Sequence, residues 1–301
     1  MRPAFGTPQI REGCQMSRPL PFQQVDVFTG VPFKGNPVAV VLGGDALSSE
    51  RMQAIAHWTN LSETTFVCAP SDPRADYRLR IFTPRSELPF AGHPTIGSAH
   101  AVLRHGLQPK TAGRLVQECG KGLVTLALDD SRLFLSLPKP LLRDVPAMQL
   151  EQMTAALGSD ASAVRAKAII DVGVVWMTLQ LASAEAVTRL QPDLTLVAAA
   201  TPRGVAGVTV FGLAPSGGEV QMEVRSFAPA EGVPEDPVCG SGNGCVAELV
   251  RRDHLLAGPT YSASQGRCVG RDGRVEVRFA DDDAIWLGGQ AVTCMEGTLH
   301  V

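Results

Sequence analysis

The chain has 301 residues, which is long enough to bury a sizeable core in one large or two average domains. A hydrophobic content of 45% with 30 glycines and 22 prolines is typical of a turn-rich globular protein, and it excludes collagen-like and disordered classes. The net charge is −3 and only 5% of residues are aromatic, so we expect no nucleic-acid partner.

Hydrophobic runs and cysteines indicate the cellular compartment of the protein. No apolar run reaches the roughly 18 to 20 residues that a membrane span needs, so we expect no membrane partner. Residues 1–18 lack the apolar run of a secretory signal and are predicted to form a disordered extension. The seven cysteines contain no CxxC pair, and an odd number fits neither a disulfide framework nor a zinc site. We therefore expect a reducing cytoplasm and no bound metal.

The first predicted elements precede residue 83. A strand leads through a turn rich in Gly and Pro into a buried β-branched strand at 38–42. A helix follows, which Ser48 or Ser49 can cap and which ends near Asn60. Its predicted apolar stripe consists of Met52, Ile55, Ala56 and Trp58. The next predicted strands are Thr64–Cys68, which Glu63 immediately precedes, and Tyr77–Phe82.

An internal repeat relates the two halves of the chain. An offset of about 145 residues connects Pro84 to Pro229 and Leu103 to Leu249. In each half a Gly-containing turn leads into a helix, and a strand hairpin follows. The repeat predicts two similar α+β domains, each with a central helix wrapped by mostly antiparallel strands, which face each other across a cleft. The matching segments are 65–67 with 208–210, 77–84 with 220–229, and 92–106 with 240–252.

The two helix starts, at Gly92-His93 and at Gly240-Ser241, are candidates for binding an anion. Backbone N–H groups are free at a helix N-terminus, and the helix dipole favours negative charge there. Two such starts that face one cleft can hold a carboxylate. The alternative is that they are ordinary caps, in which Ser241 or Asn243 satisfies the backbone donors.

Five motifs follow one another in the chain: Asp26-Val27-Phe28, 33–39 (FKGNPVA), 62–67 (SETTFV), 92–95 (GHPT) and 235–241 (EDPVCGS). In this ordered set the chain resembles the PhzF-like (phenazine biosynthesis isomerase) family, from about residue 21 to its end. The resemblance implies the fold of diaminopimelate epimerase, with two pseudo-symmetric domains. We place these domains at 19–138 and 139–301, with a last strand that can return to the first domain. The resemblance also implies a homodimer that needs no cofactor.

The resemblance also implies roles for single residues. Glu63 matches the acid/base that moves a proton between carbons, while His93 and Asp236 match residues that bind the substrate and assist the transfer. Such a base needs a pKa above its model value of about 4.3, and a closed, dry cleft can supply this increase. Helix N-termini can stabilise the resulting negative charge without a metal. The predicted substrate-binding residues are Gly92, Gly240, Ser241, Gly242 and Cys239.

Cys239 departs from the family pattern, which usually has Thr or a similar residue at this place. The segment from Cys239 to Gly242 resembles the second cysteine motif of diaminopimelate epimerase, but Ala91 stands where the first cysteine would be. A pair of two thiols is therefore not present. A pair of Glu63 with a Cys239 thiolate, whose pKa would be lowered at a helix N-terminus, stays open, as does a buried and inert cysteine.

The sequence thus predicts a cofactor-independent isomerase that moves a proton on a small carboxylate-bearing, amino-acid-like substrate. One alternative is an amino-acid epimerase that uses Glu63 and Cys239 on opposite faces of the substrate. A second alternative is a non-catalytic metabolite-binding protein. Glu63 argues against the second, because binding an anion gains nothing from a carboxylate in the site.

Overall fold

The computed structural model describes residues 18–301, in which six α-helices and many short strands occur. The helices are α1 (Ser49–Thr59), α2 (Gly92–Arg104), α3 (Ala147–Ala156), α4 (Ala184–Thr188), α5 (Leu194–Ala200) and α6 (Gly240–Arg252). The strands of the first half are β1 (Pro19–Val27), β2 (Asn36–Leu42), β3 (Thr64–Cys68), β4 (Tyr77–Phe82), β5 (Glu87–Leu88), β6 (Arg114–Cys119), β7 (Gly122–Asp129) and β8 (Arg132–Ser136). The others are β9 (Leu141–Arg143), β10 (Ala166–Asp171), β11 (Val175–Gln180), β12 (Gly207–Leu213), β13 (Met222–Ala228), β14 (Val233–Asp236), β15 (Thr260–Gln265), β16 (Gly273–Phe279) and β17 (Ile285–His300).

The strands of the first half form a closed ring around helix α2. β1 and β2 pair antiparallel, β2 and β3 parallel, β3 and β4 antiparallel, and β4 and β6 parallel. β6, β7 and β8 form an antiparallel meander. β17 then pairs with both β8 and β1 and closes the ring. Helix α2 packs against β1, β2, β3, β4, β8 and β17, and most of its residues are buried.

The second half repeats this order of pairings. β10 and β11 pair antiparallel, β11 and β12 parallel, β12 and β13 antiparallel, and β13 and β15 parallel. β15, β16 and β17 form the antiparallel meander. Helix α6 takes the place of α2 and packs against β10, β11, β12, β16 and β17. The identical succession of parallel and antiparallel pairs confirms the α+β fold with two pseudo-symmetric halves.

Strand β17 belongs to both halves. Its first residues pair with β16 and β8, and its later part, from Ala291 to His300, pairs with β1. In the same way β9, which follows β8, pairs with β10. The domain boundary after residue 138 stays a prediction. Residues 1–17 of the predicted extension lie outside the described residues, whereas the Arg18 N–H donates to the Val301 carbonyl at 2.9 Å and continues the pairing of β1 with β17.

Helix α1 confirms most of its sequence prediction. It begins after Ser48, whose hydroxyl accepts a hydrogen bond from the Arg51 N–H at 3.2 Å, and it ends at Asn60. The assignment of Trp58 to its apolar stripe is wrong, because this side chain is 79% exposed. At 3.6 residues per turn, position 58 lies about 60° outside the arc of the buried stripe. Within residues 18–301, none of the helices combines the length and the apolar composition needed to cross a membrane.

Glycine at position 97 lets α2 lie directly against the first sheet. A Cβ atom at Gly97 would overlap a methyl group of Val38 and lie 2.9 Å from Val27 Cγ2. We expect Gly97→Ala to lower the free energy of unfolding by about 1–3 kcal/mol, as overpacked core sites do. Gly92→Ala in the same helix is the control for stability, since its nearest neighbour would be 3.9 Å away. Urea unfolding monitored by circular dichroism measures both, and equal midpoints would contradict this packing argument.

Candidate active site

Glu63 lies directly before β3, at the end of the loop that follows α1. Its carbonyl accepts a hydrogen bond from the Ala39 N–H at 3.4 Å, which ties it to β2. Its side chain is 15% exposed, and Oε2 lies 3.4 Å from His93 Nε2. Burial raises the pKa of Glu63 to about 7, against a smaller opposing effect of the Ser62 hydroxyl. Glu63 can therefore take up or release a proton near neutral pH.

His93 is the second residue of α2, and its side chain is only 8% exposed. Burial lowers its pKa to about 4, and the negative charge of Asp236 and the carbonyl of Pro37 oppose this only in part. The imidazole is therefore neutral at pH 7. Among the described residues, neither Glu63 Oε2 nor His93 Nε2 has a hydrogen-bond partner. Buried polar atoms are rarely left in this state, so a proton between the two atoms, or a polar group of a ligand beside them, can supply the missing partner.

Asp236 ends β14 and lies close enough to affect the titration of His93. Burial raises the pKa of Asp236 to about 6; His93 opposes this increase and the charge of Glu63 adds to it. Asn36 holds the carboxyl group, because its Nδ2 donates to Asp236 Oδ1 at 2.9 Å and to the Val238 carbonyl at 3.0 Å. A residue of the first half thus positions an acid of the second half.

The start of α6 is held by Gln265, at the end of β15. Its Oε1 accepts hydrogen bonds from the Cys239 N–H at 3.1 Å and from Asn243 Nδ2 at 2.7 Å. Its Nε2 donates to the Asp236 carbonyl at 3.0 Å. One buried amide therefore joins the backbone at Asp236 to the first turn of the helix.

Cys239 caps α6 through its side chain. Its Sγ accepts a hydrogen bond from the Gly242 N–H at 3.2 Å, so the cap is neither Ser241 nor Asn243. Of the two roles left open for Cys239, its burial favours an inert cysteine over a thiolate. Burial, followed by the negative charge of Asp236, raises the pKa of Cys239 well above its ordinary value. The removal of the thiol from water outweighs the attraction of the helix dipole.

The two helix starts approach each other closely. A Cβ atom at Gly240 would lie 3.7 Å from the His93 backbone nitrogen and 3.5 Å from Phe28 Cζ. Ala91 supplies no side-chain cap to α2. Because the first N–H groups of a helix have no acceptor within the helix, the donors of Gly92 and His93 remain available to a ligand. The structure thus brings the first turn of each helix to one place, as predicted.

Gly242 and Ser241 complete the first turn of α6. A Cβ atom at Gly242 would lie 2.6 Å from Thr209 Oγ1 and 2.7 Å from Ser226 Oγ, so a side chain does not fit. Ser241 is partly exposed, and its Oγ accepts a hydrogen bond from Trp176 Nε1 at 2.9 Å. Gly242 therefore acts through packing, while Ser241 presents a hydroxyl group.

Three residues at this site had no predicted role. Asn36 lies in the FKGNPVA motif, and only its place in this motif, next to Pro37, could have marked it as a residue of the site. Gln265 and Trp176 lie on strands whose residues alternate between two faces, and no local pattern marks either of them as part of the site. Among residues 18–301, no group of three or more His, Cys, Asp or Glu side chains has the arrangement of a metal site.

Similarity to known proteins covers nearly the whole chain. A protein of Schizosaccharomyces pombe called antisense-enhancing sequence 1 is 41% identical over 92% of this chain and 97% of its own length. The trans-2,3-dihydro-3-hydroxyanthranilate isomerase of Pseudomonas aeruginosa is 35% identical over 92% of this chain and 98% of its own length. The crystal structure of a PhzF-family phenazine biosynthesis protein from Bacillus anthracis superposes with a TM-score of 0.81 at 23% identity, over 94% of this chain and 100% of that one.

The structural match confirms the diaminopimelate epimerase-like fold. The relatives named as isomerases, at 35% and 32% identity, define the class of protein as an isomerase. The family described as phenazine biosynthesis-like protein (PhzC-PhzF) matches residues 25–297. The chain therefore belongs to this family, as the five motifs predicted.

The raised pKa of Glu63 has a consequence for stability. The folded protein holds the Glu63 proton up to a pH of about 7, whereas the unfolded chain releases it near 4.5. The contribution of Glu63 to stability therefore falls as pH rises between these values and then levels off. We expect Glu63→Gln to gain stability relative to wild type over the same range, by roughly 3 kcal/mol at pH 8.

Urea unfolding of both proteins at pH 4.5, 6 and 8 measures this difference. Glu185→Gln is the matched control, because Glu185 is 72% exposed on α4. A Glu63→Gln difference that does not change with pH would contradict the burial of a titrating carboxyl group.

Proposed function

We propose that this isomerase moves a proton between carbons of a small, carboxylate-bearing, amino-acid-like substrate, with Glu63 as the acid/base and without a cofactor. The observation that supports this most is the contact between Glu63 and His93, buried beside the two helix starts, where the pKa of Glu63 is raised to about 7. A general base works best when its pKa is near the working pH.

In the proposed reaction the ionised Glu63 carboxylate removes a proton from a substrate carbon. The electron pair of the C–H bond moves into the substrate, and a double bond shifts. The N–H groups at the starts of α2 and α6 stabilise the negative charge that develops. The protonated Glu63 then returns the proton to a different carbon. His93, which is neutral, and Asp236 bind the polar groups of the substrate and keep the reacting carbon within reach of Glu63.

The proposed substrate class rests on the donors that surround Glu63. The free N–H groups at the two helix starts suit a carboxylate, and the buried acids Glu63 and Asp236 suit an amino or hydroxyl group. The curated relative named above acts on trans-2,3-dihydro-3-hydroxyanthranilate, which carries a carboxylate, an amino group and a hydroxyl group on one ring. We propose this chemical class for the present protein, together with a cytoplasmic homodimer as its working form.

Glu63→Gln keeps the shape of the side chain and removes the base. We expect proton exchange with the solvent to fall by at least about 100-fold, as is usual for a lost general base. The measurement is proton NMR in deuterated water with a panel of cyclic and acyclic amino acids that includes trans-2,3-dihydro-3-hydroxyanthranilate. Glu185→Gln, on the surface, should exchange at the wild-type rate. Full activity of Glu63→Gln would exclude Glu63 as the base.

The pH dependence gives the same assay a second readout. Since the base must be ionised, kcat/KM should fall about tenfold per pH unit below a pH of about 7. The Ser62 hydroxyl lowers the pKa of Glu63, so Ser62→Ala should move this limb to higher pH. A limb that does not move in Ser62→Ala would indicate that another group titrates.

The epimerase alternative requires Cys239 as a second base. This role needs a thiolate near neutral pH, but burial raises the pKa of Cys239. We therefore favour a single base and expect Cys239→Thr to keep most of the turnover, with slow alkylation of Cys239 by iodoacetamide in the wild type. Exchange with inversion at the carbon that requires both Glu63 and Cys239 would instead support the epimerase. A protein that binds a panel compound but exchanges no proton would support the non-catalytic alternative.

A further inference from the structure

The Trp176 indole donates a hydrogen bond to the Ser241 hydroxyl at the start of α6. The indole is buried, with 4% exposure, and its Nε1 lies 2.9 Å from Ser241 Oγ. Ser241 itself is partly exposed. The contact therefore joins a rigid core residue to a hydroxyl group that a ligand can reach.

The chemistry of the two groups sets the direction of this hydrogen bond. An indole N–H can only donate, whereas a hydroxyl group has one proton and two lone pairs. Ser241 Oγ must therefore accept from Trp176, and its own proton points elsewhere. Its other polar neighbour is Cys239 Sγ at 3.6 Å, which is a weak acceptor and already accepts from the Gly242 N–H. An anionic oxygen in the cleft would be a much better acceptor.

The position of Trp176 on β11 makes this arrangement rigid. β11 is a central strand, paired with β10 and β12 on its two sides. Side chains along a strand alternate between its two faces. Trp176 therefore faces α6 and packs in the same core cluster as Ile170 and Val246, while Met177 faces a second core cluster on the other side of the sheet. The equivalent strand of the first half, β2, contains no tryptophan. In the first turn of α2, Gln117 Nε2 donates to the Thr95 hydroxyl at 3.1 Å, but Thr95 is fully buried, so the two helix starts differ in what they offer to a ligand.

We infer that Trp176 is a positioning residue that holds the Ser241 hydroxyl as a hydrogen-bond donor to the carboxylate of the substrate. The inference rests on the proposed function only in that Ser241 binds the substrate. It does not depend on which residue moves the proton. It places the carboxylate beside α6 and leaves the side near Glu63 for the reacting carbon.

Benzoate is the probe for this inference, because it is a small ring that carries a carboxylate, and neutral benzamide is its matched control. Binding is measured by NMR titration of the wild type, Trp176→Phe, Ser241→Ala and the double variant. Loss of a hydrogen bond to a charged group should weaken benzoate binding by about 10-fold or more in Ser241→Ala, and in Trp176→Phe by about 3-fold or more. The double variant should bind no more weakly than Ser241→Ala, since Trp176 acts through Ser241. Benzamide binding should change much less.

A second measurement covers the case in which Trp176→Phe fails to fold. The chain has three tryptophans, so each indole N–H resonance can be assigned with Trp58→Phe and Trp286→Phe. Benzoate should shift the Trp176 resonance in the wild type and leave it nearly unchanged in Ser241→Ala. Trp58→Phe, at an exposed position, should bind benzoate as the wild type does.

Several results would overturn the inference. The first is that benzoate does not bind to the wild type. The second is that the variants lose equal affinity for benzoate and benzamide, and the third is that the losses of affinity add up in the double variant. Either of the last two would indicate a general packing role of Trp176. They leave the proposed function intact if Glu63→Gln still abolishes proton exchange. Conversely, exchange that persists in Glu63→Gln together with the expected benzoate results would reject the proposed base and keep the role of Trp176.

Discussion

The close approach of two helix N-termini is the constraint on which the site depends. Each N-terminus carries roughly half a positive charge, so bringing two of them together is unfavourable until a negative group lies between them or beside them. Gly240 permits the approach, because no side chain separates it from the His93 backbone. The pairing of β8 with β17 holds the two halves together and maintains it. The fold thus maintains a local positive potential that favours a negative group at this place.

Burial gives the three ionisable side chains of this region their chemical character. Glu63 and Asp236 have raised pKa values because water is excluded, and the pKa of His93 is lowered for the same reason. These shifts bring the titration of both acids toward neutral pH and keep the imidazole of His93 uncharged there. Asp236, the acid of the second half, accepts a hydrogen bond from Asn36 of the first half. The protonation state of Asp236 therefore depends on the correct packing of the two halves.

The internal repeat allowed much of the fold to be predicted. The matched segments became β3 with β12, β4 with β13, and α2 with α6, because hydrophobic periodicity and glycine-rich turns are local signals. Motif similarity placed Glu63 beside His93. The direction of the Cys239 pKa shift stayed open, since the helix start is visible in the sequence but the exclusion of water is not. Gln265 and Trp176 reach the site from β15 and β11, and such long-range contacts leave no local pattern.

The two halves share their topology but not their chemistry, and this difference bears on the type of reaction. The repeat matches Glu63 with Ala206, just before β12, and Cys239 with Ala91. Each half therefore lacks the ionisable group that the other half carries at the equivalent place. An epimerase needs two groups that exchange protons on opposite faces of one carbon, and here the second candidate is a buried thiol with a raised pKa. A single carboxyl group can remove a proton and return it to another carbon on the same face. The divergence between the halves thus favours a proton shift over an inversion of configuration.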